Sequence, residues 1–399
     1  MKIRNKGRKI YKTKEKKYNG KNPAGKIFSV VLSILLIGGI GFLGYSVAEP
    51  IVNYTKKKGD GPSESPTSAI VTTENADEPT TDEAVEVVTN KSTEEYRAAA
   101  LTEADMISLE SIGLALNKVP VNMDIEYIEV PLKLSGGTIT YASGVERAIM
   151  SGAVKSSISL ADIVDAVKTA GYKPVALVST FDDSILPVTY HETGYTTVDD
   201  GSQWIDDNES SGGKPWLSPY SQEALTYLTD LVVEISNAGF ERVVCSDFIF
   251  PPFRESDLAL LDDQLSTDGK YMLLTSAANL LNEKILSSGS SMAIEVSAVE
   301  VLKGNDDIIV QPMVLNVDTI IVDVNIDEIG SGVISDTTSY EFTGTAEDKT
   351  KRMLELLKDK FTRYSNIIIR ISGSSVNSGE LLKAADAAEG MGYKSLVIG

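Results

Sequence analysis

From about residue 84 onward, one local pattern recurs along this 399-residue chain: an amphipathic helix, a glycine–aromatic–charged triplet and a short apolar run. The triplets are Gly171-Tyr172-Lys173, Gly239-Phe240-Glu241 and Gly392-Tyr393-Lys394. Glycine readily adopts the left-handed conformation that ends a helix. The apolar runs are rich in Val and Ile and too short for helices, which is typical of strands. The pattern therefore predicts alternating helices and strands.

Two helices are particularly clear in this region. The segment 222–238 places an apolar residue on one face at every turn, and Ser221 precedes it as a plausible N-cap. The segment 160–170 begins after Ser159 and ends at Gly171 in the same way. Each helix leads directly into an apolar run, so the repeating unit is a helix followed by a strand.

Eight apolar runs are predicted to be strands, near 84–89, 124–131, 173–180, 241–248, 291–297, 318–324, 366–371 and 394–398. Several are apolar on both faces, which suits parallel strands covered by helices. Eight strand–helix units predict an α/β fold of the TIM (β/α)8-like barrel type. A doubly wound open sheet is the alternative, but no glycine-rich phosphate loop follows any of the strands.

An uncharged stretch near the N-terminus predicts a transmembrane helix. Residues 27–48 are 22 residues without a charge, which as a helix would span about 33 Å, enough to cross a bilayer core. Residues 1–26 carry eleven Lys or Arg and one Glu, which predicts a cytoplasmic N-terminus and an extracytoplasmic remainder. Ser46-Val47-Ala48 resembles a signal-peptide cleavage site, but the basic region and the apolar run are both long for a signal peptide. We therefore predict an uncleaved signal anchor in the cell membrane.

The chain thus divides into four predicted parts. They are a basic cytoplasmic tail (1–26), the anchor (27–48), an acidic Ser/Thr/Pro linker (49–83) and a barrel domain (84–399). Within the linker, residues 59–83 cannot bury enough apolar area to offset their chain entropy, which predicts a flexible stalk.

Composition excludes several classes of function. The net charge of −20 argues against a nucleic-acid partner, because phosphates would be repelled. With one His and one Cys, the chain has no internal disulfide, no Cys/His zinc cluster and no two-histidine metal site, so we expect no metal and no cofactor. His191 is expected at the surface and Cys245 in the core. Acid–base chemistry therefore falls mainly to Asp, Glu, Tyr or Lys.

Several acids stand near the predicted strand ends, where TIM barrels place their active sites. They are Glu129, Asp182 and Asp183, Asp247, and Glu295. Glycoside hydrolysis needs a pair of carboxyl groups across a cleft, one to donate a proton and one to attack or to activate water. The alternative at each position is an acid that only caps the following loop.

The longest predicted loop, residues 181–219, contains His191 and both tryptophans, Trp204 and Trp216, and Tyr220 follows it. Long loops in compact domains are usually functional, and exposed aromatic rings stack on sugar faces. The alternative is that the tryptophans simply pack the loop onto the barrel. A second aromatic loop, residues 248–253, follows Asp247 and forms either a platform or an apolar plug.

The order of these motifs resembles a known family. The segment Gly213-Lys214-Pro215-Trp216-Leu217-Ser218-Pro219-Tyr220, then a helix, then a strand ending in Asp247, resembles the glycoside hydrolase domain family that has a TIM-barrel fold. Weaker matches are Ile128-Glu129-Val130 with the following Gly136–Tyr141, and Met292–Val296. The family is distantly similar to the amylase-like glycosidases, in which the carboxylates after strands four and five are catalytic. The resemblance covers roughly residues 84–399.

This chain also departs from the family pattern. Pro131-Leu132-Lys133 stands where acidic residues are usual, Phe250 replaces an arginine after Asp247, and Glu295 stands where an aspartate is usual.

The resemblance implies a glycoside hydrolase that acts on a cell-surface or environmental polysaccharide. Asp247 is the predicted nucleophile or base and Glu295 the predicted proton donor. Glu129, Trp204, Trp216 and Tyr220 are the predicted substrate-binding residues. The alternative is a catalytically degenerate barrel that binds a wall glycan or a partner protein.

Overall fold

Eight parallel strands close into a barrel in the part of the chain that the computed structural model describes. The described residues are 95–120, 123–261, 267–304, 317, 319–335, 338–360 and 366–399. In chain order the strands are β1 (Arg97–Ala100), β2 (Tyr127–Lys133), β3 (Lys173–Ser179), β4 (Arg242–Ser246), β5 (Ser291–Ser297), β6 (Thr319–Asn325), β7 (Gly332–Ser335), β8 (Thr338–Glu341), β9 (Asn366–Ser372) and β10 (Leu396–Ile398). Strands β7 and β8 form a separate antiparallel hairpin. The other eight form the barrel, which closes where β10 pairs with β1.

Helices alternate with the barrel strands. They are α1 (Leu109–Leu116), α2 (Glu146–Met150), α3 (Leu160–Thr169), α4 (Leu186–Thr189), α5 (Gln222–Asn237), α6 (Leu258–Leu261), α7 (Thr267–Ser287), α8 (Ala298–Lys303), α9 (Ile326–Ile329), α10 (Ala346–Leu357) and α11 (Ser378–Gly390). The predicted caps are confirmed, since the side chains of Ser159 and Ser221 accept hydrogen bonds from the first turns of α3 and α5. Gly171, Gly239 and Gly392 all have positive φ, as predicted for helix stops.

The predicted TIM-type barrel is confirmed and the open doubly wound sheet is excluded. Seven predicted strands match barrel strands to within a few residues. The prediction of the first strand near 84–89 is corrected, because the barrel is completed by Arg97–Ala100, which pairs with both β10 and β2. Residues 84–89 and the predicted boundary at residue 84 lie outside the described residues.

The hydrophobic core has two layers, as a parallel barrel covered by helices requires. One layer fills the space between the strands and the surrounding helices, and it includes Cys245, as predicted. The second lies inside the barrel and consists of one small or branched side chain from most strands, together with Tyr96: Ala98, Val175, Val244, Ala293, Ile321, Ile368 and Val397. This inner layer forms an apolar base beneath the C-terminal ends of the strands.

The described part of the chain contains no helix that is both long and apolar enough to cross a membrane. The predicted tail, anchor and linker, residues 1–83, lie outside the described residues.

Candidate active site

Charged side chains collect at the C-terminal ends of the barrel strands, the edge at which TIM barrels carry their active sites. They form two groups. We call the first the Lys133 cluster, which comprises Lys133, Asp182, Asp183, Lys214 and Asp247. We call the second the Arg370 cluster, which comprises Glu129, Glu295, Asp323 and Arg370.

A buried ion pair anchors the Lys133 cluster. Lys133 is the last residue of β2, and only 1% of its side chain is exposed. Its Nζ lies 3.1 Å from Asp183 Oδ2 and donates to the Ser179 carbonyl at 2.8 Å. Asp183 Oδ1 accepts from the backbone N–H groups of Ile185 and Leu186. The pair therefore fixes the loop after β3 against the end of β2.

Gly137 allows this loop to approach so closely. A Cβ on Gly137 would lie 2.3 Å from Asp183 Oδ1, and the residue has a φ of +101°. The neighbouring Gly136 N–H donates to the Asp182 carbonyl at 2.9 Å. Gly137 of the family-like motif is thus required by the contact between the β2 and β3 loops, whereas Gly136 is favoured by its φ of +84°.

Asp182 connects the cluster to the long 181–219 loop. Its Oδ1 accepts from Lys214 Nζ at 2.8 Å, and its Oδ2 accepts from Ser135 Oγ. Lys214 is held in turn by Asp206, which accepts from the Lys214 N–H and from Trp216 Nε1, each at 2.8 Å. The loop therefore places a lysine at the mouth of the barrel.

Asp247 lies at this mouth, directly after β4, and its backbone has a φ of +49°. Non-glycine residues rarely adopt this conformation, and such residues often occur at functional sites. Its carbonyl accepts from Thr180 Oγ1 at 2.9 Å, which helps to hold the backbone in place. Burial, together with nearby Asp182, raises the pKa of the Asp247 carboxyl, whereas a hydrogen bond from Ser179 and the charges of Lys133 and Lys214 oppose the rise.

The Arg370 cluster lies inside the barrel above the apolar base. Glu295, Asp323 and Arg370 each follow a residue of that base by two positions, so they face the same interior one step nearer the C-terminal end. Arg370 Nε donates to Glu295 Oε2 at 2.6 Å, and its Nη2 donates to Glu129 Oε2. Arg370 thus links β9 to β5 and to β2, across the interior of the barrel.

Burial shifts the protonation of this cluster. It raises the pKa of Glu295 to about 8, with Asp323 and Glu129 adding to the rise and Arg370 opposing it. Burial also raises the pKa of Asp323, again against the influence of Arg370. A carboxyl group with a pKa near 8 retains its proton at neutral pH. Glu295 therefore has the property that a general acid requires.

The structure brings both predicted catalytic residues to this end of the barrel. Asp247 and Glu295 belong to neighbouring strands, β4 and β5. Tyr220 is 37% exposed, and its ring centroid lies 6.2 Å from that of Phe250, in the loop that follows Asp247.

Three other residues that were predicted to bind substrate are buried and contact other residues of the protein. Glu129 is fully buried and accepts from Arg370 and from the Tyr96 hydroxyl, so it presents no surface to a ligand. Trp204 is 3% exposed and packs against Tyr195 and Phe253, and Trp216 is 7% exposed. This placement matches the alternative interpretation, in which the tryptophans pack the long loop onto the barrel.

Three residues of these clusters were not predicted as site residues from the sequence: Lys133, Arg370 and Asp323. For Arg370 and Asp323 the sequence does carry a signal, because each is a charged residue within an otherwise apolar strand. Arg370 interrupts Ile367-Ile368-Ile369 and Ile371, and Asp323 interrupts Ile320-Ile321-Val322 and Val324. Among the described residues, no group of three or more His, Cys, Asp or Glu side chains has the arrangement of a metal site.

Comparison with known proteins identifies the family of this chain. The family model described as "Putative glycosyl hydrolase domain" matches residues 108–324, which span β2 to β6 and both clusters except Arg370. The chain belongs to this family. The resemblance inferred from the sequence is thereby confirmed.

The barrel fold is similar to that of a solved glycoside hydrolase domain. The glycoside hydrolase domain of PgaB (BpsB) from Bordetella bronchiseptica is similar over 77% of this chain and 93% of its own, with a TM-score of 0.52 and 12% identity. The glycoside hydrolase domain of a PelA variant from Pseudomonas aeruginosa is similar over 76% of this chain and 94% of its own, with a TM-score of 0.39 and 13% identity. A hypothetical protein from Ruminiclostridium thermocellum covers 49% of this chain and 96% of its own, with a TM-score of 0.37 and 19% identity. No curated protein sequence matches the chain.

Proposed function

We propose that this chain is a membrane-anchored, extracytoplasmic glycoside hydrolase that acts on a cell-surface or environmental polysaccharide. The observation that carries the proposal is the pair Asp247 and Glu295. Both lie at the C-terminal ends of adjacent strands in a barrel of this family, and burial raises the pKa of both. Two carboxyl groups in this position are what hydrolysis of a glycosidic bond requires.

The roles follow from the surroundings of each group. Glu295 is protonated at neutral pH and donates its proton to the glycosidic oxygen as the bond from that oxygen to the anomeric carbon breaks. Burial raises the pKa of Asp247 and the charges of Lys133 and Lys214 oppose the rise, and the role proposed for Asp247 uses its ionised form. It either bonds to the anomeric carbon or takes a proton from the water that does so. Tyr220 is the proposed aromatic contact to the sugar.

Anchoring is part of the proposal. The uncharged segment 27–48 and the basic residues before it support a single membrane span with the barrel outside the cytoplasm. A surface enzyme of this kind meets wall or environmental glycans directly.

A second candidate function is a barrel without catalytic activity that binds a wall glycan or a partner protein. The hydrogen bond from Arg370 to Glu295 favours it, because the proposed acid is already bonded inside the barrel. The presence of Lys133 where family members carry acids favours it as well.

Reducing-end release by the purified full chain on a panel of wall and storage glycans tests these candidates. We expect Asp247→Asn and Glu295→Gln to lower the rate about 100-fold or more, because each removes a group that moves a proton or attacks. Asp230→Asn and Glu283→Gln make the same chemical changes at exposed helix positions and serve as matched controls. Circular dichroism verifies that all four variants fold.

The outcomes separate the candidates. Release that both site variants lose and both controls retain supports the hydrolase and the two roles. If a site variant still releases reducing ends, the catalytic role proposed for the substituted residue is contradicted. An absence of release, together with glycan binding by the wild-type chain, supports the second candidate.

A further inference from the structure

The Arg370 cluster contains more acidic groups than its cation can neutralise. Glu129 and Glu295 both hydrogen bond to the guanidinium of Arg370, and Asp323 is the direct neighbour of Arg370 across β6 and β9. All lie in the barrel interior, where an uncompensated carboxylate is costly. Three carboxyl groups facing one guanidinium therefore favour retention of at least one proton.

The hydrogen bonds indicate which carboxyl group retains that proton. Glu129 accepts from two donors, Arg370 and the Tyr96 hydroxyl. Asp323 accepts from Ser372 Oγ at 2.7 Å, which opposes the rise that burial causes in the pKa of Asp323. The described hydrogen bond of Glu295 uses Oε2 alone. Glu295 has 14% of its side chain exposed, whereas Glu129 is fully buried, so a proton on Oε1 of Glu295 can be donated.

We propose that Asp323 is a positioning residue for Glu295: as a further acid in the barrel interior, beside Arg370 across β6 and β9, it keeps Glu295 in its protonated form. This inference rests on the proposed function only for its catalytic consequence, since the proton itself can be observed without a substrate. Asp323 does not touch the glycan in this role. It acts through the charge that it directs toward Glu295.

The electrostatic surroundings are compatible with this role. The described charged groups that act most strongly on Glu295 come from three strands: Arg370 on β9, Asp323 on β6 and Glu129 on β2. Glu328 on α9 acts on the Asp323 side of the cluster and accepts from Ser297 Oγ. Arg370 opposes protonation of Glu295 and is outweighed by burial and by the two neighbouring acids, of which Asp323 is the larger influence.

The direct test is a titration of Glu295 in the full chain, purified in a mild detergent and labelled with ¹³C at the glutamate side-chain carboxyl. Glu295→Gln identifies the resonance by its loss. In Asp323→Asn we expect the pKa of Glu295 to fall by about one unit or more, as removal of an adjacent like charge predicts. Asp323→Glu keeps the charge and should keep the pKa high. Asp327→Asn, the same change at an exposed residue of α9, should leave the pKa where it is in the wild-type chain.

The alkaline limb of hydrolysis is the second readout. If Glu295 is the acid, Asp323→Asn moves this limb to lower pH and preserves the rate at acidic pH. A purely structural role would lower the rate at every pH. An unchanged Glu295 titration in Asp323→Asn overturns the proposal, whether or not the chain hydrolyses a glycan. If Asp323→Asn does not fold, Asp323→Ser, which removes the charge and keeps a hydrogen-bonding oxygen for Ser372, gives the same reading.

Discussion

At the scale of single residues, the buried acid Glu295 makes the stability of the barrel depend on pH. In the unfolded chain this carboxyl titrates near its ordinary pKa of 4.5, whereas in the fold its pKa is about 8. Below pH 4.5 both states hold the proton and the group contributes no difference. As the pH rises from about 4.5 to 8, the unfolded state releases its proton first, so the free energy of unfolding falls across this window.

Glu295→Gln should remove this dependence. We expect the free energy of unfolding of the variant, relative to the wild-type chain, to rise by about 2–4 kcal/mol between about pH 5 and pH 8. Urea denaturation at several pH values measures it, with Glu283→Gln as the control because that acid is exposed. A stability difference that is constant with pH would show that Glu295 is not held protonated in the fold.

At the same scale, the sequence predicted only part of the site. Asp247 and Glu295 follow or lie in recognisable strands, so the barrel topology alone places them at its C-terminal end. Arg370 is 241 residues from Glu129, and their contact exists only because β9 and β2 face each other across the closed barrel. Local patterning carries no information about such a contact, which is why the partner of Glu295 was missed.

At the scale of elements, the strands that were predicted are those with Val and Ile runs behind a helix-stopping glycine. Strand β1 was missed because its sequence, Arg97-Ala98-Ala99-Ala100, has the residues of a helix. It is extended because it fills the gap between β10 and β2, where small side chains fit the barrel interior. Tertiary pairing thus overrides local propensity at the one strand that closes the barrel.

The start of α5 provides a test at this scale. Ser221 Oγ accepts from the Ala224 N–H at 3.2 Å and donates to the Glu192 carbonyl at 2.7 Å, so it caps the helix and also holds the long loop. We expect Ser221→Ala to lower the free energy of unfolding by about 1–2 kcal/mol. Thermal and urea unfolding measure the loss. Ser221→Thr keeps both hydrogen bonds and should remain close to the wild-type stability, whereas an equal loss in both variants would contradict the capping role.

At the scale of the whole molecule, the charge distribution predicts how the chain is oriented in a membrane. The first 26 residues are strongly basic, while the chain as a whole carries a net charge of −20. A basic segment before an uncharged segment of membrane-spanning length is typical of a signal anchor with a cytoplasmic N-terminus. The acidic remainder is compatible with translocation, since acidic residues contribute little to orientation.

The anchor is tested by deletion. We expect the full chain to remain in the membrane fraction after alkaline carbonate extraction, because 22 uncharged residues bury enough apolar surface to hold it there. A chain that lacks residues 1–48 should be soluble. Deletion of residues 59–83 shortens the linker but leaves the segment 27–48 intact, so this control should stay in the membrane.

The same preparation distinguishes an anchor from a cleaved signal peptide. Mass spectrometry of the mature chain should find the N-terminal basic residues still attached. A mature chain that begins at Glu49 and appears in the soluble exported fraction would instead show cleavage after Ser46-Val47-Ala48. Exposure of the barrel to protease added outside intact cells then tests its orientation: an anchored, extracytoplasmic barrel is cut or released there, whereas a cytoplasmic barrel is protected.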